Sequence, residues 1–181
     1  MEDMIRFALS AGFTHVQQLN ITLNITTLEP MEQVRDMCAE NRCRAYGKNW
    51  TCPPFCGTLD ECREKIQKFQ KGILVQMVGK LNGPFDYKNM VAIECKHLEN
   101  FHALAEHLRG KYSEILCLGS GGCRICKKCA YPEPCRFPQK ACSSMEGYGL
   151  MVSFVCRDNQ MPYYYGENTL TYTSCYLWSE E

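Results

Sequence analysis

Residues 121–135 read Gly-Gly-Cys-Arg-Ile-Cys-Lys-Lys-Cys-Ala-Tyr-Pro-Glu-Pro-Cys, and their thiols are spaced C-x2-C-x2-C-x5-C. Three thiolates three residues apart on one tight loop can reach three corners of an iron–sulfur cubane, and a fourth a little downstream can close it. Structural zinc sites more often use two separated C-x2-C pairs. The spacing therefore predicts a [4Fe–4S] site, with zinc binding and free thiols as alternatives. Its ligands are Cys123, Cys126, Cys129 and Cys135.

Basic residues surround these thiols. Between residues 123 and 140 the only acidic residue is Glu133, and the five basic ones are Arg124, Lys127, Lys128, Arg136 and Lys140. Positive charge offsets the negative charge of a cluster with four thiolates. It also suits electrostatic docking of an acidic redox partner protein. A solvated basic loop without a partner is the alternative.

A second group of cysteines lies earlier in the chain, within residues 38–56. Cys38, Cys43, Cys52 and Cys56 are spaced C-x4-C-x8-C-x3-C. Clustered thiols in a reducing compartment indicate metal more often than chance, so we predict a second metal site here. A composite zinc site built from Cys52, Cys56 and two later cysteines is the competing arrangement. Core thiols without a metal are the other alternative.

Cys56 decides whether this second site is closed. The Pro53-Pro54 pair favours an extended chain, which separates Cys52 from Cys56 unless the chain turns back near Gly57. With Cys56 as a ligand the site has four thiolates. Without it, one iron of a cubane stays open. In the later loop, Cys142 lies seven residues past Cys135 and is an alternative ligand there.

Composition narrows the class of protein. Fourteen of the 181 residues are cysteine, while the 45% apolar and 22% charged fractions are ordinary. Twenty basic residues balance twenty acidic ones, which excludes a strongly basic nucleic-acid-binding protein. The first residues, MEDMIRFALSAG, lack the apolar run of a secretory signal, and no stretch suits a membrane span. We expect one domain over residues 1–181, in the cytoplasm, with reduced thiols.

Hydrophobic periodicity predicts an α/β, or α+β, fold. Expected helices cover residues 1–11, 31–39, 59–70, 87–108 and 147–157, and expected strands cover 15–25, 73–78, 115–118 and 169–178. Thr58 and Glu61 form a capping box, and Asp86 can cap the longest helix. This order predicts a mixed sheet of about four strands with helices packed on it. The two cysteine loops, residues 38–56 and 119–142, are expected at its rim.

Several motifs together resemble a known family. They are Cys38-x2-Asn41-x-Cys43-x2-Tyr46-Gly47-x2-Trp50-x-Cys52-Pro53-Pro54, Gly57-Thr58-Leu59-x2-Cys62, Cys123-x2-Cys126-x2-Cys129 with Cys135-Arg136-x-Pro138, and Ser144-Met145-Glu146-x-Tyr148-Gly149. Over roughly residues 5–178 the chain is similar to the predicted metal-binding proteins of anaerobic bacteria and archaea, domain of unknown function 2284. The resemblance implies metal binding, with the ligands Cys38, Cys43, Cys52, Cys123, Cys126, Cys129 and Cys135. This chain has Phe137 where the family more often has His.

Three functions are consistent with these patterns. The leading hypothesis is an iron–sulfur protein with one or two [4Fe–4S] clusters that transfers electrons in anaerobic metabolism, because no substrate motif is visible. Its expected partner is a redox protein, and neither nucleic acid nor a membrane is expected. The second hypothesis is an enzyme whose open iron binds substrate as a Lewis acid. The third is a zinc-stabilised interaction module.

Overall fold

A four-stranded sheet forms the centre of the computed structural model, which describes residues 1–20 and 27–179. The strands are β1 (His15–Gln18), β2 (Lys71–Lys80), β3 (Ile115–Leu118) and β4 (Thr169–Trp178). Their order is β1-β2-β4-β3, and every neighbouring pair is antiparallel. The predicted α+β class and four strands are confirmed.

The sheet is antiparallel, which corrects the expected mixed sheet. β2 and β3 point in the same direction, as a strand–helix–strand unit requires. However, β4 lies between them and pairs with both, so that Ile73 is opposite Tyr176 and Leu118 is opposite Cys175. No parallel pair of strands can therefore form between β2 and β3.

Five α-helices pack around the sheet. They are α1 (Glu2–Ser10), α2 (Leu28–Ala39), α3 (Leu59–Gln67), α4 (Tyr87–Lys111) and α5 (Val152–Asp158). The predicted capping box of α3 is present, because Thr58 Oγ1 accepts from the Glu61 N–H at 3.2 Å and the Glu61 carboxylate accepts from the Thr58 N–H at 2.8 Å. None of the helices within residues 1–20 and 27–179 is long and apolar enough to cross a membrane.

Two expected elements differ most from the observed bounds. The helix expected over residues 147–157 begins at Val152, because Gly149 adopts a left-handed φ of 78° and ends a short 3₁₀ helix, Glu146–Tyr148. The strand or hairpin expected over residues 15–25 is a strand over His15–Gln18. Leu19 and Asn20 lie beyond the strand, and residues 21–25 of that prediction lie outside the described residues.

Both faces of the sheet are covered by hydrophobic core. Alternation along β2 places Ile73 and Val75 against α1 and α4, while Leu74 faces the side of α3 and α5. Each fully buried Leu or Ile contributes roughly 1.5–3 kcal/mol. Two such layers give the cysteine loops a rigid base.

The second cysteine loop is closed at its base by backbone hydrogen bonds. The Gly119 N–H donates to the Ser143 carbonyl at 2.9 Å, and the Met145 N–H donates to the Gly119 carbonyl at 3.0 Å. Gly119 and Ser144 form a parallel bridge beyond the end of β3. The loop between Gly119 and Ser144 therefore starts and ends at one edge of the sheet, as expected.

Candidate metal centre

The two cysteine loops contact each other directly. Thr51 Oγ1 accepts from the Cys123 N–H at 3.3 Å, and Asn49 Nδ2 donates to the Cys123 carbonyl at 3.5 Å. Trp50 Nε1 donates to the Glu133 carbonyl at 2.8 Å. Three successive residues of the first loop therefore hold the backbone of the second.

An aromatic cluster adds to this contact. The ring of Tyr131 lies 4.5 Å from that of Phe55 and 5.1 Å from that of Trp50, measured between centroids. Phe55 and Trp50 are themselves 5.3 Å apart. Such ring pairs contribute about 0.5–1.5 kcal/mol each beyond the area that they bury. The cluster therefore joins the two loops.

The four thiols predicted in the second loop line one small cavity. Its volume is about 20 Å³, and Cys123, Cys126, Cys129 and Cys135 share its wall with residues of the first loop that include Trp50. Each of the four cysteines is half-buried. Burial raises the pKa of the Cys123 thiol. The structure therefore gathers all four residues around one enclosed space.

Within residues 1–20 and 27–179, no three Cys, His, Asp or Glu side chains are arranged to hold a single metal ion. All fourteen cysteines are free thiols. A tetrahedral zinc site would need four ligand atoms within about 2.3 Å of one ion.

Cys38, Cys43 and Cys52 of the first loop form a second group. Cys52 is buried. This burial is the main cause that raises the pKa of Cys52 to about 11, and the charges of Cys43 and Cys38 act in the same direction. Burial and the Glu146 carboxylate raise the pKa of Cys38. Three of the four cysteines predicted in this loop are therefore electrostatic neighbours.

Cys56, the fourth, is also an electrostatic neighbour of Cys52, and it pairs with Cys62 of α3. Its thiol donates to the Gly147 carbonyl at 3.1 Å and is a hydrogen-bonding neighbour of Cys62. Arg35 Nη2 lies 3.6 Å from the Cys56 sulfur and 3.4 Å from the Cys62 sulfur. The hydrogen bond with Cys56 lowers the pKa of Cys62, and the Arg35 guanidinium acts in the same direction.

Arg35 and Cys62 are residues that sequence reasoning missed. Cys62 lies on the buried face of α3, where a cysteine resembles any small apolar residue. Its place in the motif Gly57-Thr58-Leu59-x2-Cys62 was the available signal. Nothing in the local sequence distinguishes Arg35 from the other charged residues of α2.

The two thiol groups adjoin where the loops meet. The charge of Cys123 contributes to the raised pKa of Cys52. A Cβ atom added at Gly122 would lie 3.3 Å from the Cys52 sulfur, which is closer than most such contacts. Glycine at this position therefore allows the second loop to approach the first group of thiols.

The basic residues of the second loop line the outside of this centre. Arg124 pairs with Glu94 of α4 at 2.7 Å, and Arg136 Nη1 donates to the Lys128 carbonyl at 3.3 Å. The side chains of Lys127, Lys128 and Arg136 are exposed. Positive charge therefore faces solvent directly beside the four thiols.

The α+β scaffold presents two docked loops of clustered thiols. This arrangement is that of a cysteine-rich metal-binding protein, which is the class to which the chain belongs. The chain belongs to the family described as predicted metal-binding protein (DUF2284), whose model matches residues 22–178. This confirms the resemblance that the motifs indicate. No curated protein and no solved structure matches the chain.

Proposed function

We propose that this protein is an iron–sulfur protein that binds a [4Fe–4S] cluster through Cys123, Cys126, Cys129 and Cys135. The observation that carries the proposal is that these four thiols line one small cavity. A cluster with four thiolate ligands supplies one-electron transfer. The function that we propose is therefore electron transfer.

The arrangement of the thiols favours a cluster over zinc. In a cubane each thiolate binds a different iron atom, so the sulfurs surround the metal core instead of meeting at one ion. Four of the described cysteines share one cavity, as the ligands of one cubane would. The ligand set is also all thiolate, which suits iron–sulfur chemistry.

The protein's own residues keep this site rigid. Thr51 and Asn49 hydrogen-bond the backbone of Cys123, which fixes the position of the first thiol. The rings of Trp50 and Tyr131 pack edge to face and join the two loops. A site that is held rigidly changes little when its charge changes, as electron transfer requires.

The adjoining group of Cys38, Cys43 and Cys52 supports a second metal at the same centre. Cys52 and Cys123 are electrostatic neighbours across the docked loops, so two metal groups here would be close. Close spacing would let an electron that enters at one group reach the other. The proposed protein then holds two clusters.

The exposed basic side chains suit an acidic redox partner. Lys127, Lys128 and Arg136 face solvent beside the four thiols. A positive patch increases the rate at which a negatively charged protein arrives, without requiring a large interface. Such a partner would meet the protein in the cytoplasm, where thiols stay reduced.

Iron and sulfide analysis of anaerobically purified protein tests this function. We expect about four iron atoms per chain for one cubane and about eight for two. Cys126→Ser should lose the cluster of the second loop, whereas the matched control Cys95→Ser, at an exposed thiol of α4, should keep it. Zinc in place of iron, or equal iron in both variants, would refute the proposal.

An iron–sulfur enzyme is a second candidate, because Cys56 is paired with Cys62 and would be free of the metal if that pair persisted. Three thiolates would leave one iron open, and an open iron can bind a substrate oxygen or nitrogen. Under this proposal Cys56→Ala keeps its full iron content and an unchanged spectrum. A loss of iron would make Cys56 the fourth ligand and favour the closed electron carrier.

A further inference from the structure

A cavity lies between α4 and the second cysteine loop. Its volume is about 560 Å³, and small-molecule sites usually measure about 300–1,000 Å³. The α4 side of its wall includes Leu98, His102 and Arg109. The loop side includes Ile125 and Lys140. The cavity is therefore large enough to take a small organic molecule.

Two cations of this cavity lack a carboxylate partner. Among the described residues, neither Arg109 nor Lys140 forms an ion pair, whereas Arg124 pairs with Glu94 at 2.7 Å. Burial lowers the pKa of the His102 imidazole, and the charges of Arg109 and Lys140 lower it further. Both cations therefore act on the same part of the cavity. Two such charges facing one space attract an anion.

The acids of the lining limit how much negative charge the cavity accepts. Glu99 pairs with Lys96 at 3.4 Å. Glu106 is exposed and has no ion pair in the part of the chain that the structure describes. Two unpaired cations and one unpaired acid leave a small positive excess, which suits a ligand with a single negative charge.

Apolar side chains form another part of the wall. Leu98 of α4 and Ile125 of the second loop are both half-buried, and both line the cavity. A ligand with an apolar body covers this surface, whereas a small hydrophilic anion leaves it in contact with water. The lining therefore suits a molecule that joins a carboxylate to an apolar body.

Ile125 also places the cavity beside the four thiols of the second loop. It lies between Cys123 and Cys126 in the sequence, and it lines both this cavity and the small cavity of the four thiols. Over the residues that the structure describes, the larger cavity is lined by none of these four thiols. A molecule bound here would adjoin the proposed cluster without taking the place of a ligand.

We propose that this cavity binds a small hydrophobic carboxylate. The carboxylate lies between Arg109 and Lys140, which donate charge-assisted hydrogen bonds to it. The apolar body lies against Leu98 and Ile125. Binding requires no electron transfer and no metal chemistry, so this site does not depend on the function proposed above.

The probe is 2-naphthoate, added to protein that is purified anaerobically with its metal retained. Isothermal titration calorimetry measures its affinity, and we expect saturable binding. Two analogues divide the contributions. The first, 2-naphthamide, has the same apolar body without the charge, and acetate has the charge without the apolar body. Each should bind roughly tenfold more weakly, or weaker still, because a hydrogen bond to a charged group or a buried apolar body is lost.

Cys95 reports where the probe binds. It is an exposed thiol of α4 that lines the cavity, so a bound molecule should shield it. Alkylation of Cys95 by iodoacetamide, quantified by peptide mass spectrometry, should slow as 2-naphthoate is added, with the midpoint that calorimetry gives. Acetate at the same concentration should leave the alkylation rate unchanged.

Lys140→Gln tests the positive charge. The loss of one exposed ion pair should weaken the binding of 2-naphthoate about two- to fivefold. The matched control is Lys88→Gln, at an exposed lysine of α4 that is not part of the described lining, and it should bind like the wild type. Both lysines are exposed, so neither substitution disturbs the core.

Any one of four results would overturn the proposal. The first is the absence of saturable 2-naphthoate binding. The second is an equal affinity for 2-naphthamide or for acetate. The third is binding that leaves the alkylation of Cys95 unchanged, because the probe would then occupy another site. The fourth is an equal affinity in Lys140→Gln and the wild type.

Discussion

Removing the hydroxyl of Thr51 should weaken metal retention by the second loop. Thr51→Val keeps the shape of the side chain but loses two hydrogen bonds, one accepted from the Cys123 N–H at 3.3 Å and one donated to Asn49 Oδ1 at 3.1 Å. Thr51 is 7% exposed, so water cannot easily replace these bonds. A buried polar group left without a partner costs about 1–3 kcal/mol.

The same free energy sets the expected loss of metal affinity. If the loop binds metal only when it is docked on the first loop, 1–3 kcal/mol corresponds to roughly 5- to 150-fold weaker retention. Chelator titration of anaerobic protein, followed by absorbance, measures this change. The chelator concentration at half release should fall by that factor in Thr51→Val.

Thr14→Val is the matched control. Thr14 Oγ1 also accepts a backbone N–H, from Val78 at 2.9 Å, and donates to the Gln76 carbonyl at 3.0 Å. These bonds lie at the β1 edge of the sheet. This variant should keep the metal retention of the wild type. Equal retention in Thr51→Val and wild type, or an equal loss in both variants, would refute the role of the loop contact.

Three other predictions concern the loops and the core. Gly122→Ala should lower the metal content, because the added Cβ would press on the Cys52 sulfur. Gly83→Ala should keep the metal content, because a Cβ there meets nothing within 4 Å. Metal analysis together with circular dichroism checks both variants. Metal removal should speed hydrogen exchange across residues 119–142 but not in β2 or β4, measured by mass spectrometry. Burial lowers the pKa of His97 from 6.5 to about 4, so the His97 imidazole resists protonation in the folded protein. The free energy of unfolding should be unaffected by this group above pH 6.5 and fall by up to about 3 kcal/mol towards pH 4, at 1.36 kcal/mol per pH unit. Urea titrations of His97→Gln should lack that component.

Local patterns predicted the elements of the fold. The alternation over residues 169–178 and the capping box at Thr58 are both present. Strand order depends instead on which distant segments pair. Nothing local in the sequence shows that β4 enters between β2 and β3 rather than at an edge.

The candidate site likewise has a part that local sequence predicts and a part that depends on contacts between distant residues. Spacing alone predicted that four cysteines lie close together, because residues near in sequence on one loop stay near in space. They are Cys123, Cys126, Cys129 and Cys135. The contact between Thr51 and Cys123 joins residues 72 positions apart, which no spacing rule addresses. The contact of Arg35 with Cys56 and Cys62 depends likewise on the packing of α2 against α3.

The central position of β4 has a consequence for synthesis. A ribosome makes β2 and β3 long before residues 169–178, yet β4 is the strand that joins them. Until it emerges, the translated chain carries both cysteine loops with no completed sheet to support them. Metal that arrived during synthesis would meet loops that no sheet yet supports. We therefore expect productive metal loading only after translation has passed residue 178.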